Sequence, residues 1–169
     1  MKRDFNAPYR RRPAVMHVNV PPSAHTYTPP DTMTVDYGTL DTGTVSDLAD
    51  LGGTLVNISE LNGSPCLTVH FHFADIGVID KFLYYGHYQG SASHVINIEI
   101  LNQLVSPATW EVIGIITSVD DIRWNSFELF KNDRYNLSGA VQVRFRHLGN
   151  GVSSHDLILD YVAIAHSKV

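Results

Sequence analysis

The feature that most constrains the fold is a series of short segments, beginning near Met33, in which β-branched and aromatic residues alternate with polar ones. A period of two is typical of strands that bury one face. Turn-forming Gly, Asn and Asp residues separate the segments, and helical spacing occurs only in one short stretch, 46–51. The pattern predicts an all-β fold, an antiparallel β-sandwich. The segments are 54–60, 66–73, 81–88 (the weakest), 94–101, 109–116, 126–130, 140–148 and 156–164.

The last two segments give the most specific local prediction. They flank a Gly-Asn-Gly turn at 149–151, which favours a hairpin. If the two strands pair, Arg144 and Asp160 can lie opposite one another and form a cross-strand ion pair that fixes the register. We therefore predict a hairpin with Arg144 and Asp160 as its structural ion pair.

The first 31 residues differ from the rest in composition. They hold six of the eight prolines. Five basic and two acidic residues give them a net charge of +3, whereas seven basic and fifteen acidic residues give the rest of the chain a net charge of −8. Because proline removes backbone donors, this stretch should be extended. It is either a disordered tail or an arm that becomes ordered against a partner, and the apolar side chains spaced along it favour the arm. We predict an arm at 1–31 and a β-domain at 32–169.

Length and composition exclude several classes of protein. A chain of 169 residues is enough for one domain, and no apolar run reaches the roughly 18 residues that a membrane span needs. The basic N-terminus has no apolar stretch behind it, so a signal peptide is not expected and the protein should be made in a cytoplasm. The single cysteine, Cys66, excludes an internal disulfide framework, and its strand-like context predicts a buried, inert thiol rather than a nucleophile.

Two histidines in the segment LTVHFHFAD raise the question of a metal site. His70 and His72 would project from the same face of a strand, as two ligands must. The further ligands could come from Asp75, His87, His94, His147 and His155, but none stands at a spacing typical of a known site. The simpler prediction is that Leu67, Val69, Phe71 and Phe73 face the core while the histidines cover the outer face. We predict no bound metal.

Other chemistry has weaker support. The sequence lacks a Gly-x-Ser-x-Gly elbow, a phosphate loop and a His-Glu-x-x-His motif, so no catalytic residue is assigned. Asp120 and Asp121 form an acidic pair that fits a loop better than a calcium site. The acidic body argues against nucleic-acid binding by the basic arm. Trp110 and Trp124 could stack on sugar rings, although core packing is the commoner use of such residues.

The C-terminal half contains a combination of features with a known parallel. They are the stretch YYGHYQG, Asn102 at the end of a strand, Trp110 at the start of the next, VQVRFRH (141–147) and a closing LILDYV. Over roughly 45–164 this pattern resembles the galactose-binding-like β-jelly-roll as found in structural proteins of tailed bacteriophages. Carbohydrate-binding modules of the same superfamily end in a similar strand.

The resemblance implies a non-enzymatic virion protein without a cofactor, most simply a capsid cement or decoration protein assembled in the host cytoplasm. Its partners would be the major capsid protein and itself, as a dimer or trimer, with neither nucleic acid nor membrane. A carbohydrate-binding module of a phage tail or other appendage is the alternative. In the cement interpretation, the residues that bind the capsid are Phe5, Tyr9, Arg10, Arg11, Arg12, Val18 and Val20.

Overall fold

A computed structural model describes residues 25–118, 121–129 and 133–167 as an all-β protein. Each segment predicted as a strand overlaps one, and the stretch at 46–51 becomes a 3-10 turn, Val45–Leu48. No helix in this part of the chain is long and apolar enough to cross a membrane. The strands are β1 Thr26–Thr28, β2 Thr32–Tyr37, β3 Thr39–Thr42, β4 Val56–Ser59, β5 Leu67–Phe73, β6 Val78–Gln89, β7 Val95–Asn102, β8 Thr109–Thr117, β9 Arg123–Glu128, β10 Val141–His147 and β11 Asp156–Ser167.

The strands form two antiparallel sheets, which confirms the predicted sandwich. The first sheet has the order β3-β4-β11-β6-β9, and β1 also pairs with β11. The second has the order β2-β5-β10-β7-β8. Strand β11 is therefore central in its sheet: β6 pairs along one of its edges, whereas β4 and β1 pair with different parts of it.

The core lies between the sheets and contains the inward-facing half of each alternating strand. Phe145 on β10 lies against Phe71 of its own sheet and against Phe82 and Tyr84 of the opposite sheet, with ring centroids 5.3–6.0 Å apart. All four rings are at most 1% exposed. The alternation seen in the sequence therefore has the expected cause, because every second side chain is removed from water.

The predicted hairpin of the last two strands is wrong. Both strands form, but β10 pairs with β5 and β7 in one sheet, whereas β11 pairs with β4, β6 and β1 in the other. Arg144 consequently pairs with Glu99, directly opposite it on β7, at 2.5 Å. Asp160 lies at a β-bulge of β11 and accepts a hydrogen bond from the backbone N–H of Gly52. The predicted ion pair between Arg144 and Asp160 is therefore not formed.

The β-domain begins earlier than the predicted boundary at residue 31. Thr26–Thr28 pairs with β11, and the Thr28 hydroxyl forms a hydrogen bond with His166 at 2.9 Å. The backbone N–H of Asp31 donates to the carbonyl of His72 at 2.8 Å. Residues 25–31 are thus part of the sandwich, despite the prolines at 29 and 30. The arm residues predicted to bind the capsid, Phe5, Tyr9, Arg10, Arg11, Arg12, Val18 and Val20, lie outside the described residues.

Two truncations test this boundary. A chain that starts at residue 32 should be less stable than one that starts at residue 25, by about 1–3 kcal/mol, because it loses the β1 ladder and the Asp31 contacts. Urea unfolding of both chains under the same conditions gives the difference directly. Equal midpoints and equal slopes would show that residues 25–31 do not stabilise the sandwich.

Candidate functional site

The pair His70 and His72 lies where the simpler prediction put it. Leu67, Val69, Phe71 and Phe73 are fully buried, and the two histidines are on the outer face of β5. His70 lies 3.1 Å from the Asp36 carboxylate. Burial, together with the nearby Arg144 and Arg146, lowers the pKa of His70 by more than Asp36 raises it, so the ring is mostly neutral at pH 7.

The outer face of the other sheet carries a row of aromatic residues. The register places Tyr85 of β6 opposite Tyr161 of β11 on one side and opposite Trp124 of β9 on the other. The Trp124 ring lies 5.2 Å from Tyr85 and 5.6 Å from Tyr161, measured between centroids, yet it stays 51% exposed. Three neighbouring strands therefore support one exposed indole.

A row of shorter residues lies next to the aromatic row on the same face. Ala163, Leu83 and Ser126 are opposite one another on β11, β6 and β9. One row further on, β1 places Tyr27 opposite Ala165, and Tyr27 is 49% exposed. Because the row of shorter side chains lies between rows of larger aromatic ones, the surface has a depression there. We call this depression, bounded by Tyr27, Trp124 and Tyr161, the aromatic groove.

The aromatic groove has the size of a small-molecule site. One part is a cavity of about 470 Å³, lined by Tyr27, Ala49, Asp50, Leu51, Leu83, Trp124 and Tyr161. A second cavity of about 210 Å³ shares Tyr27, Leu83 and Trp124 with it and adds Lys81 and Ser126. Small-molecule sites usually measure about 300–1,000 Å³.

Asp160, which lies at the bulge of β11, holds one wall of the groove in place through its side chain. Both carboxylate oxygens of Asp160 accept from the Gly52 N–H, at 3.1 and 3.0 Å. Gly52 has a φ of +80°, which only glycine adopts without strain. The hydrogen bonds therefore hold Asp50 and Leu51 beside Tyr161. Asp160 positions the wall of the groove, a role the sequence did not suggest.

Polar groups lie at the margins of the groove. Asp50 offers a carboxylate, Lys81 an ammonium and Ser126 a hydroxyl. Burial, followed by the neighbouring Tyr27 and Asp50, raises the pKa of Tyr161. Its hydroxyl is therefore protonated at neutral pH and can donate a hydrogen bond.

The opposite sheet carries the other tryptophan in a different setting. Trp110 on β8 has the Arg144 guanidinium 4.1 Å from its ring centroid, and its ring packs edge-to-face with that of His70, with the centroids 5.3 Å apart. Since the protein's own cation covers one face of the indole, that face is not open to a ligand. Of the two tryptophans predicted as core or platform, Trp124 has the geometry of a platform and Trp110 is partly buried.

No sequence pattern indicated that Tyr27, Tyr85 and Tyr161 come together around Trp124. Tyr85 and Tyr161 meet Trp124 only through strand pairing, which a single sequence does not define. Tyr27 lies in the stretch predicted as an arm. Of the acidic pair at 120–121, Asp120 lies outside the described residues and Asp121 is exposed.

Three of the candidate metal ligands gather at one end of the sandwich, without His70 and His72. His94, His147 and His155 surround Glu60 there, close to Cys66 and Tyr88. Burial alone would raise the pKa of Glu60. Hydrogen bonds from Tyr88, His147 and the Val152 backbone outweigh that effect and lower it, so Glu60 is a carboxylate. Burial and the Glu60 charge raise the pKa of Cys66 to about 12, as expected of an inert thiol.

Comparisons with known proteins establish the fold. No family model matches the sequence, and no curated protein matches it. Among solved structures, the chain is similar to the Clostridium thermocellum xylanase 10B CBM22-1 and GH10 modules complexed with xylohexaose, with a TM-score of 0.53, 14% identity and 86% of this chain covered. The likeness is one of fold, and it agrees with the two antiparallel sheets of this β-sandwich. This chain spans 28% of the length of that structure.

Two further solved structures, with TM-scores below 0.5, are also carbohydrate-binding modules by description. A carbohydrate-binding module of family 29 has a TM-score of 0.49 at 13% identity, with 81% of this chain and 90% of that one covered. TmCBM61 in complex with β-1,4-galactotriose has a TM-score of 0.46 at 13% identity, with 77% and 85% covered. The match at a TM-score of 0.53 supports the predicted β-sandwich, whereas the galactose-binding-like superfamily and the phage context stay predictions.

Proposed function

We propose that this protein binds an oligosaccharide in the aromatic groove without cleaving it. The observation that carries the proposal is the row Tyr161, Tyr85 and Trp124, which presents a half-exposed indole beside a depression closed by Tyr27. An aromatic face attracts the apolar C–H face of a pyranose ring, and the ring's hydroxyls then point sideways toward polar partners. The fold shared with a xylanase module crystallised with xylohexaose supports this class of ligand.

The shape of the groove suits a flat ring. Tyr85 and Tyr161 pack against Trp124 and limit its rotation, so little side-chain entropy remains to be lost when a sugar stacks on it. Ala163 and Leu83 form a low, apolar floor that leaves room above it. A sugar stacked on Trp124 would therefore displace water from apolar surface on two sides.

The polar side chains at the margin of the groove would orient the bound sugar and discriminate between different sugars. Asp50 can accept from sugar hydroxyls, Lys81 can donate to them, and Ser126 can do both. Among the described lining residues Asp50 is the only carboxylate, whereas glycoside hydrolysis commonly uses a pair. The groove thus supports binding, and no hydrolytic role is proposed for it.

The two tryptophans give a matched test. Trp124→Ala should weaken binding to the best glycan on an array at least tenfold, a loss of about 1.4 kcal/mol, because it removes the platform. Trp110→Ala removes the same side chain from the opposite sheet and should leave the affinity within twofold. Calorimetric titration of both variants with that glycan measures the difference.

A fluorescence experiment locates the site independently. In Trp110→Phe, Trp124 is the sole tryptophan, so a bound sugar should change the emission with the same dissociation constant that calorimetry gives. Binding without any change in emission, or equal affinities for Trp124→Ala and Trp110→Ala, would place the site elsewhere. Absence of saturable binding to every glycan tested would refute the proposal.

The capsid-cement role remains a separate prediction. Its attachment residues lie within 1–24, outside the described residues, and its partners and virion location have no structural test. The two roles are compatible, because a particle-bound protein can present a sugar-binding groove. Isolated particles, probed for this protein and for the major capsid protein, would show whether the attachment exists.

A further inference from the structure

The buried cluster around Glu60 lies at the end of the sandwich, away from the aromatic groove. Its members stand where strands end or begin: Glu60 follows β4, Tyr88 lies near the end of β6, His94 precedes β7, His147 ends β10 and His155 precedes β11. Antiparallel strands bring these positions to one end of the fold.

The two oxygens of Glu60 have different partners. Oε1 accepts from the Tyr88 hydroxyl at 2.7 Å and lies 2.5 Å from Nδ1 of His147. Oε2 accepts from the Val152 N–H at 3.1 Å, and the Nδ1 atoms of His155 and His94 lie 3.4 and 3.9 Å from it. Both oxygens thus accept a hydrogen bond, and the second also faces two imidazole nitrogens at longer range. The same two Nδ1 atoms, of His155 and His94, lie 3.2 and 3.3 Å from the Tyr88 hydroxyl.

We propose that Glu60, His94 and His155 bind one divalent transition-metal ion of the zinc class. Nitrogen and carboxylate ligands suit zinc, with metal–ligand distances of about 2.0–2.2 Å. Tetrahedral ligands at that distance are roughly 3.3 Å apart. The separations of 3.4 and 3.9 Å from Oε2 are close to that value, and the ligand atoms of all three residues lie within 4.8 Å of one another.

The neighbouring triad of Glu60, Cys66 and His147 fits an ion less well. His147 Nδ1 and Glu60 Oε1 are only 2.5 Å apart, which is a hydrogen bond and too short for two ligands of one ion. That bond and the one from Tyr88 instead orient the carboxylate, as partners of metal ligands commonly do. His147 and Tyr88 are therefore positioning residues.

The two histidines are the members of the site that reach solvent. The side chains of His94 and His155 are 20% and 16% exposed, whereas that of Glu60 is fully buried. An ion can therefore enter past the two histidines, and water can occupy a fourth position. Calcium, which takes six to eight oxygen ligands, does not suit a site with two imidazoles.

Metal binding to the full-length protein tests the proposal. After dialysis against a chelator, reloading with Zn²⁺ alone should give one ion per chain by elemental analysis, and Co²⁺ should give the visible absorption of a low-coordinate nitrogen–oxygen site. His94→Ala/His155→Ala should lose stoichiometric binding, while His70→Ala/His72→Ala, which removes two histidines from the outer face of β5, should retain it. His147→Gln should weaken binding by roughly 10–100-fold.

Several results would overturn the proposal. These are Zn²⁺ binding that persists in His94→Ala/His155→Ala, loss of binding in His70→Ala/His72→Ala, or a Zn²⁺-free wild type whose cluster is a hydrogen-bond network only. A thiolate–Co²⁺ charge-transfer band that disappears in Cys66→Ala would assign a different ligand set and also overturn it. Far-UV circular dichroism checks that each variant is folded. Glycan binding measured in the same variants separates this site from the aromatic groove.

Discussion

Phe145→Ala should destabilise the protein by about 3–5 kcal/mol, the usual cost of emptying a fully buried phenylalanine site. The Phe145 ring is fully buried and contacts Phe71 in its own sheet and Phe82 and Tyr84 in the other, so it joins the two layers of the sandwich. A domain of this size has about 5–15 kcal/mol of total stability. The variant should therefore unfold at a much lower urea concentration, with an unchanged slope.

Phe127→Ala is the matched control for this prediction. Phe127 stacks on Phe82 and Tyr84 at 6.5 and 6.3 Å, but it lies on the edge strand β9 and is only partly buried. The same change there should cost clearly less than at Phe145. Equal losses at the two positions would contradict the view that Phe145 is the main contact between the sheets.

Arg144→Ala should cost about 3–5 kcal/mol, because it leaves the Glu99 carboxylate buried without its cation. The Arg144 and Glu99 side chains are 12% and 7% exposed, and their charged atoms are 2.5 Å apart. The substitution also removes the cation above the Trp110 ring. Chemical unfolding at neutral pH measures the loss.

A double-mutant cycle separates the ion pair from the packing of the two side chains. Arg144→Met/Glu99→Met removes both charges together and should be markedly more stable than the sum of the single losses predicts. The Lys81–Glu128 pair is the control: its atoms are 3.8 Å apart and its side chains 32% and 58% exposed, so breaking it should cost at most about 1 kcal/mol. A small loss in Arg144→Ala would show that water reaches Glu99.

The strands from β4 onward could be predicted from the sequence because their cause is local, whereas β1, β2 and β3 have no counterpart among the predicted segments. The alternation from Leu67 to Phe73 reflects burial of one face, and every second residue in that range is indeed in the core. The all-β class follows from the same pattern repeated along the chain, since few other architectures bury so many half-apolar strands.

Strand pairing could not be predicted in the same way. A Gly-Asn-Gly turn between two strands favours a hairpin, yet β10 and β11 belong to different sheets, because each finds a long β-partner elsewhere in the chain. The energy that selects those partners is tertiary packing, which no local pattern encodes. The error about Arg144 and Asp160 follows directly, since a cross-strand pair depends on knowing which strands are neighbours.

The sites were predictable only to the level of residue type. The sequence identified Trp124 as a possible sugar platform and named His94, His147 and His155 among possible ligands, but it attached the histidines to His70 and His72. The groove depends on three tyrosines (Tyr27, Tyr85 and Tyr161) and Trp124 coming together from four strands, and the histidine cluster depends on Glu60, which no motif marked. Both are products of register and topology rather than of spacing along the chain.

The central place of β11 has a consequence for synthesis on the ribosome. Residues 56–59 and 78–89 lie on opposite sides of β11, which is translated roughly 100 and 70 residues later, respectively. Until that strand has left the exit tunnel, both must wait with open hydrogen-bonding edges, which are the surfaces most prone to aggregate. The nascent chain should therefore depend on chaperones to prevent aggregation until translation of β11 is complete. Its resistance to protease should then appear in a single step rather than strand by strand.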